Sequence, residues 1–181
     1  MMKKLLGLAA LLAGTACSAG QDNGAGAQVE GASNVFMAND FESLRGWVDA
    51  TGIDAGHAHS GKYASKVDRD REFGVTYEMA LGKISDHKMK TLHLEAWVYL
   101  PSTQAATVGF QLVDPAQHDQ TVFGDGIKLE DIKTFNQWVR VEKDIVLPDN
   151  INSALKMRVF LWRGGANQAV YLDDIKMSIK Q

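Results

Sequence analysis

The chain has 181 residues, 45% of them hydrophobic and 8% aromatic, with a formal net charge of −3. That length and apolar content suit one domain with a proper core and exclude disorder of the whole chain. No run or stripe of Lys and Arg is present, which argues against nucleic acid as a partner. Cys17 is the only cysteine, so no internal disulfide is available and stability must come from the core or from a metal.

Met1-Met2-Lys3-Lys4 is a positive leader, and Leu5 to Ala13 is an apolar stretch too short to span a bilayer as a helix. The pair predicts an export signal over 1–16. Its end, Ala13-Gly14-Thr15-Ala16-Cys17, resembles a bacterial lipobox, in which the cysteine becomes the lipidated first residue; Gly14 stands where Leu is usual. The resemblance implies lipidation at Cys17 and a membrane partner through an N-terminal lipid anchor. By resemblance to Gram-negative lipoproteins, Ser18 rather than Asp after the cysteine implies outer-membrane sorting, so the expected location is the outer membrane or cell surface. An ordinary secretory signal cleaved after Ala16 or Ala19 is the alternative. Residues 17–33, rich in Gly, Ala, Asn and Gln, cannot repay the entropy of folding and read as a flexible tether.

From Asn34 to Gln181 the pattern is one of short alternating strands. In chain order they are expected at Tyr63–Val67, Phe73–Met79, His93–Tyr99, Thr107–Val113, Trp138–Val146, Leu155–Trp162 and Ala169–Ile179. Ser60-Gly61, Gly82, Pro101-Ser102, Pro115, Gly124-Asp125-Gly126, Pro148-Asp149-Asn150 and Gly164-Gly165 read as the turns between them. His118 and Asp119 read as an exposed loop tip. No stretch holds a helical period, so the fold class is all-β, a sandwich or barrel.

Three strands carry aliphatic residues in one phase and large or polar groups in the other. The second phase holds His93, Glu95, Trp97 and Tyr99; then Thr107, Gln111 and Val113; then Lys156, Arg158, Phe160 and Trp162. A face mixing rings with Arg, Glu, His and Gln suits a sugar, whose apolar faces stack on rings while planar polar groups meet its hydroxyls. On the assumption that the three strands share a sheet, the sugar-binding candidates are Trp97, Tyr99, Arg158 and Trp162, then His93, Glu95, Gln111 and Phe160. The contrary expectation is that loops cover this face as a minor core.

Asn39-Asp40-Phe41-Glu42 with Gly46-Trp47, the turn His59-Ser60-Gly61-Lys62-Tyr63, Leu94-Glu95-Ala96-Trp97-Val98-Tyr99, Trp138 and Val170-Tyr171-Leu172-Asp173-Asp174-Ile175 occur in that order. The series resembles carbohydrate-binding modules of the four/nine group, and implies a jelly-roll β-sandwich of two antiparallel sheets. It also implies a structural calcium where the first and last strands meet. Its ligands would be the Glu42 carboxylate, backbone carbonyls at Ser60 and Lys62, and the carboxylate of Asp174 or its neighbour Asp173. Trp47 and Trp138 match positions usually buried in that family, and neither is a ligand candidate.

His57 and His59 form a His-x-His pair without an evident third ligand. Glu130-Asp131 is a carboxylate pair, but there is no Glu-x-Asp-x-x-Glu run of jelly-roll hydrolases, no Gly-x-Ser-x-Gly elbow and no P-loop. The expected function is therefore a non-catalytic lipoprotein that captures a poly- or oligosaccharide. The alternative is a structural or adhesion lipoprotein whose sandwich binds envelope proteins.

Overall fold

The computed structural model describes residues 34–44, 46 and 50–180. The expected signal over 1–16, the tether over 17–33 with Cys17, and Trp47 lie outside the described residues.

Among the described residues the chain is all-β, a jelly-roll sandwich of two antiparallel sheets. In order come β1 (Val35–Asn39), β2 (Ile53–Asp54), β3 (Ala64–Val67), β4 (Tyr77–Ala80), the one-turn helix α1 (Leu81–Ile84) and β5 (Thr91–Tyr99). They are followed by β6 (Thr107–Asp114), β7 (Gln120–Lys128), β8 (Trp138–Val146), β9 (Lys156–Trp162) and β10 (Val170–Lys180). The first sheet runs β2-β3-β10-β5-β8, with β1 also paired to β10; the second runs β4-β9-β6-β7. Pro101 and Pro148 follow β5 and β8 closely, where a residue without an N–H ends a ladder.

The aliphatic phases meet between the sheets. Leu92, Leu94, Ala96 and Val98 of β5 and Leu172, Ile175 and Met177 of β10 pack with Val108, Phe110 and Leu112 of β6 and Met157, Val159 and Leu161 of β9. Each of these side chains is buried, which fixes the register, because a one-residue slip would send the whole set to solvent. The inner phases of the edge strands β7 and β8 carry Asp125 and Lys143. The Lys143 ammonium reaches the Asp125 carboxylate and the Gly126 carbonyl, bridging the two sheets along one open side.

Three expectations need correction. Gly124-Asp125-Gly126 is no turn: it lies inside β7, a strand the glycines disguise. The strand expected from Phe73 begins at Tyr77, while Phe73 makes an isolated bridge to Trp162. Above all, the three strands with mixed outer phases do not share a sheet. β5 lies in the first sheet and β6 and β9 are neighbours in the second, so the sugar-binding candidates divide between opposite outer faces.

Candidate functional site: the outer faces and the strand-end turn

On the first sheet, β5 presents His93, Glu95, Trp97 and Tyr99 outward, opposite Asp144, Glu142, Arg140 and Trp138 of β8. The rings are not bare. The segment after β2 lays His59 on Trp97, with ring centroids 3.9 Å apart and 13° between planes. His57 stacks on Tyr171 at 4.4 Å and meets Tyr99 at 5.5 Å. Trp138 closes the cluster edge-on to His59 and Tyr99. The His-x-His pair is thus a cover, each ring spent on an aromatic neighbour.

The rest of that face is a ladder of ion pairs. Arg140 Nη2 donates to Glu95 at 2.6 Å and lies 2.9 Å from Glu142; Lys176 reaches Glu95 at 3.2 Å, and His93 Nδ1 lies 2.8 Å from Asp144. The Arg140 hydrogen bond, opposed by burial and aided by Lys176, holds the Glu95 carboxyl below the usual carboxylate range. His93, Glu95 and Glu142 place ligand atoms within 4.8 Å of one another, as a metal would require. Their charges are already met by Arg140 and Lys176, so the cluster reads as a balanced surface network.

The second sheet's outer face is built differently. Strand register sets out three cross-strand rows: Trp162–Thr107–Lys128, Phe160–Gly109–Gly126 and Arg158–Gln111–Gly124. Gly109 on β6 and Gly124 and Gly126 on the edge strand β7 carry no side chains, and a groove of about 850 Å³ runs over this side of the sheet, at the upper end of the range for ligand sites. A Cβ on Gly109 would lie 2.6 Å from the Phe160 ring, so that ring rests directly on the glycine. A Cβ on Gly126, at φ +152°, would strike the Val108 carbonyl at 2.4 Å. Gly124 differs: a Cβ there meets only the Phe110 carbonyl at 3.9 Å and otherwise points into open space.

Trp162 and Phe73 wall the groove with 39% and 45% of their surface exposed, although each is a large apolar side chain. Phe73 packs edge-on to Phe160 at 5.5 Å, and Trp162 Nε1 donates to Glu72 at 3.1 Å, which fixes the indole plane. Gln111, Thr107, Lys128 and Asp131 add polar groups around the rings. Of the eight candidates, Trp162, Phe160 and Gln111 line this groove; Trp97, Tyr99, His93 and Glu95 lie on the other sheet. Arg158 borders it, with Nε on Glu78 and Nη2 on Asp119, both at 2.6 Å. Sequence reasoning missed Phe73 and Glu72, which sit outside any strand, and Gly109 and Gly124, whose contribution is the lack of a side chain.

A third cluster joins the strand ends. β10 carries one extra residue between Asp173 and Lys176, and Asp174 sits at φ +45° in this bulge. The bulge brings both carboxylates to the turn before β3. Asp173 Oδ2 accepts from the His59 and Ser60 N–H groups at 2.7 and 3.1 Å, and its Oδ1 accepts from the Asp174 N–H at 2.7 Å. Asp174 accepts from Ser60 Oγ at 2.8 Å and pairs with His59 Nδ1 at 2.6 Å. Glu42 Oε1 accepts from the Lys62 and Tyr63 N–H groups at 2.6 and 2.7 Å. Gly61, at φ +59°, is required here because a Cβ would lie 2.4 Å from the Glu42 carboxyl carbon.

Glu42 and Asp173–Asp174 therefore both reach the turn at 59–63, where the backbone groups that meet Asp173 and Glu42 are N–H donors. Asp173 has no exposed surface, and burial raises its pKa against the pull of three backbone N–H donors. Three carboxylates brought to one turn are hard oxygen donors, the type that calcium takes.

No protein-family model matches the chain, and no curated protein matches it. Solved structures do resemble it. The C-terminal family 22 carbohydrate-binding module of Clostridium thermocellum Xyn10B superposes over 82% of this chain and 95% of its own, with a TM-score of 0.51 at 13% identity. The N-terminal tandem of family 22 modules of Paenibacillus barcinonensis Xyn10C matches over 84% of this chain and 48% of its own, with a TM-score of 0.50 at 14% identity. At such identities the likeness is one of fold.

Proposed function

We propose that this chain is a non-catalytic glycan-binding module and that its poly- or oligosaccharide lies in the groove of the second sheet. The observation that carries the reading is a groove open over Gly124 beside two solvent-facing rings, Trp162 and Phe73. Rings stack on the apolar faces of a pyranose, Gln111 and Thr107 offer donors and acceptors to its hydroxyls, and Gly124 lets the chain approach the backbone. The similar Clostridium thermocellum module is a carbohydrate-binding module with a ligand-binding cleft, which supports the same use of this fold.

Binding rather than hydrolysis accords with the state of the groove's carboxylates. Glu72 accepts from the Trp162 indole, Asp125 is held by Lys143 and Glu142 by Arg140, so three of the groove's four carboxylates, Asp131 being the fourth, are engaged in fixed contacts. Anchored at Cys17 and carried on the tether over 17–33, the module would hold glycan at the outer membrane or cell surface. A structural calcium at Glu42, the Ser60 and Lys62 carbonyls and Asp173 or Asp174 would neutralise the buried charge of Asp173 and tie the strand ends to the turn.

The test is a titration of the domain with fragments of β-glucan, xylan, mannan and chitin, followed by tryptophan fluorescence. Wild type should bind one class. Gly124→Leu, which puts an isobutyl group into the groove from a position with open space, should lower affinity at least about tenfold with no loss in melting temperature. Silence across the panel, with envelope proteins co-purifying, would replace this reading with the protein-interaction one. Calcium at about a hundred times its dissociation constant should stabilise the fold by about 2.7 kcal/mol in a melting experiment and leave glycan affinity unchanged. A melting curve indifferent to chelator would remove the metal from the account.

A further inference from the structure

Arg158 lies beside the groove, yet its charge is already committed. Glu78 of β4 accepts from Arg158 Nε and also from Lys156 Nζ, at 2.6 and 2.9 Å. Asp119 accepts from Arg158 Nη2 at 2.6 Å and lies 4.0 Å from Lys156. Two carboxylates and two cations thus balance, and the block offers little net attraction to a ligand of either sign.

Its geometry is nonetheless costly to hold. His118 and Asp119, at the tip between β6 and β7, sit at φ +54° and +57°, a left-handed conformation that disfavours side-chain-bearing residues. The Arg158–Asp119 pair fastens that tip down onto the outer face of β9. In the row Arg158–Gln111–Gly124 the β9 end carries the guanidinium with its two carboxylates, just beyond the groove-lining Gln111, while the β7 end has no side chain at all.

Resting on the glycan reading above, we infer that Arg158 is a wall that sets specificity, and that the groove distinguishes glycans by where their substituents project. A branch directed toward β9 meets the guanidinium and its two carboxylates. Displacing it would strand charges that are now paired, so that chain is rejected. A branch directed toward β7 passes over Gly124, where a Cβ would meet only the Phe110 carbonyl at 3.9 Å and space is otherwise open. The groove therefore favours a linear chain or one branched on a single side, and rejects chains substituted on both.

The experiment compares affinity for a linear polysaccharide that wild type binds with affinity for the same backbone carrying dense side branches. Arg158→Ala lowers the wall: linear affinity should stay within about threefold, and the linear-to-branched ratio should fall at least about fivefold. Arg158→Met keeps the bulk without the hydrogen bonds and should leave linear affinity at the wild-type level. Melting curves report whether each variant is folded, and Glu78→Gln with Asp119→Asn, which leaves Arg158 in place but unpinned, should shift the ratio in the same direction as Arg158→Ala. A tenfold loss of linear affinity in folded Arg158→Met would make Arg158 a sugar contact and overturn the inference. So would an unchanged ratio in folded Arg158→Ala. Either result leaves the glycan reading standing, whereas a wild-type domain that binds no linear chain defeats that reading and this inference with it.

Discussion

On the first sheet Trp97 lies under His59 at 3.9 Å, His57 stacks on Tyr171 and meets Tyr99 at a tilt, and the remaining face is laced by Arg140, Lys176 and their carboxylates. On the second, Trp162 and Phe73 stand open to solvent beside the groove. Both strands that carry these tryptophans alternate aliphatic and mixed residues. What separates the two faces is their neighbours: His59 from a distant turn covers one tryptophan, and the groove beside the other opens over Gly124. Exposure of an aromatic ring is decided by the strand alongside and the loop above, and hardly at all by the strand that bears it.

The contrast can be sharpened by removing the cover. His59→Ala deletes the ring stacked on Trp97 and the bond to Asp174, and should cost about 2 kcal/mol of stability, read from denaturant midpoints. The same variant should make Trp97 accessible to acrylamide while glycan affinity stays as it was. If affinity for glycan rises instead, the first face is a blocked sugar site and the contrast fails.

A smaller effect concerns the ion-pair ladder. Glu95 has its pKa depressed in the folded state, so its contribution is present above the unfolded value and lost as pH falls through the folded one. Stability should therefore decline in acid below the ordinary carboxylate range, by about 0.5–1 kcal/mol from this residue, given how partly exposed pairs behave. Glu95→Gln should flatten that decline without changing glycan affinity. An affinity that falls together with stability would tie the ladder to binding.

The elements with the plainest alternation were legible in the sequence. Trp138–Val146 matches β8 at both ends, and β5, β6 and β9 lie within two residues of their expected bounds. β7 was hidden because Gly124 and Gly126 carry the chemistry of a turn, although here they serve a strand that must leave space above it. Sheet membership was illegible for a different reason. Alternation reports which residues share a face of one strand, while the pairing of β5 with β10 and of β6 with β9 is settled by contacts across the chain. Thus phase alone places Trp162, Phe160 and Gln111 beside the groove and, by the same signal, Trp97 and Tyr99 on the opposite face, where His59 and His57 meet them. The approach of Glu42 and Asp173 to one turn followed from the family resemblance; no local pattern joins residues that far apart.

The most direct test of the account sets the two tryptophans against each other. Glycan affinity and denaturant stability would be measured for wild type, Trp162→Ala and Trp97→Ala, with the ligand class found in the titration. Trp162→Ala should lose about thirtyfold or more in affinity, on the order of 2 kcal/mol, with stability little changed. Trp97→Ala should keep its affinity and lose stability, because its ring is packed rather than presented. Affinity lost with Trp97 and kept without Trp162 would place the sugar on the first sheet and contradict the account.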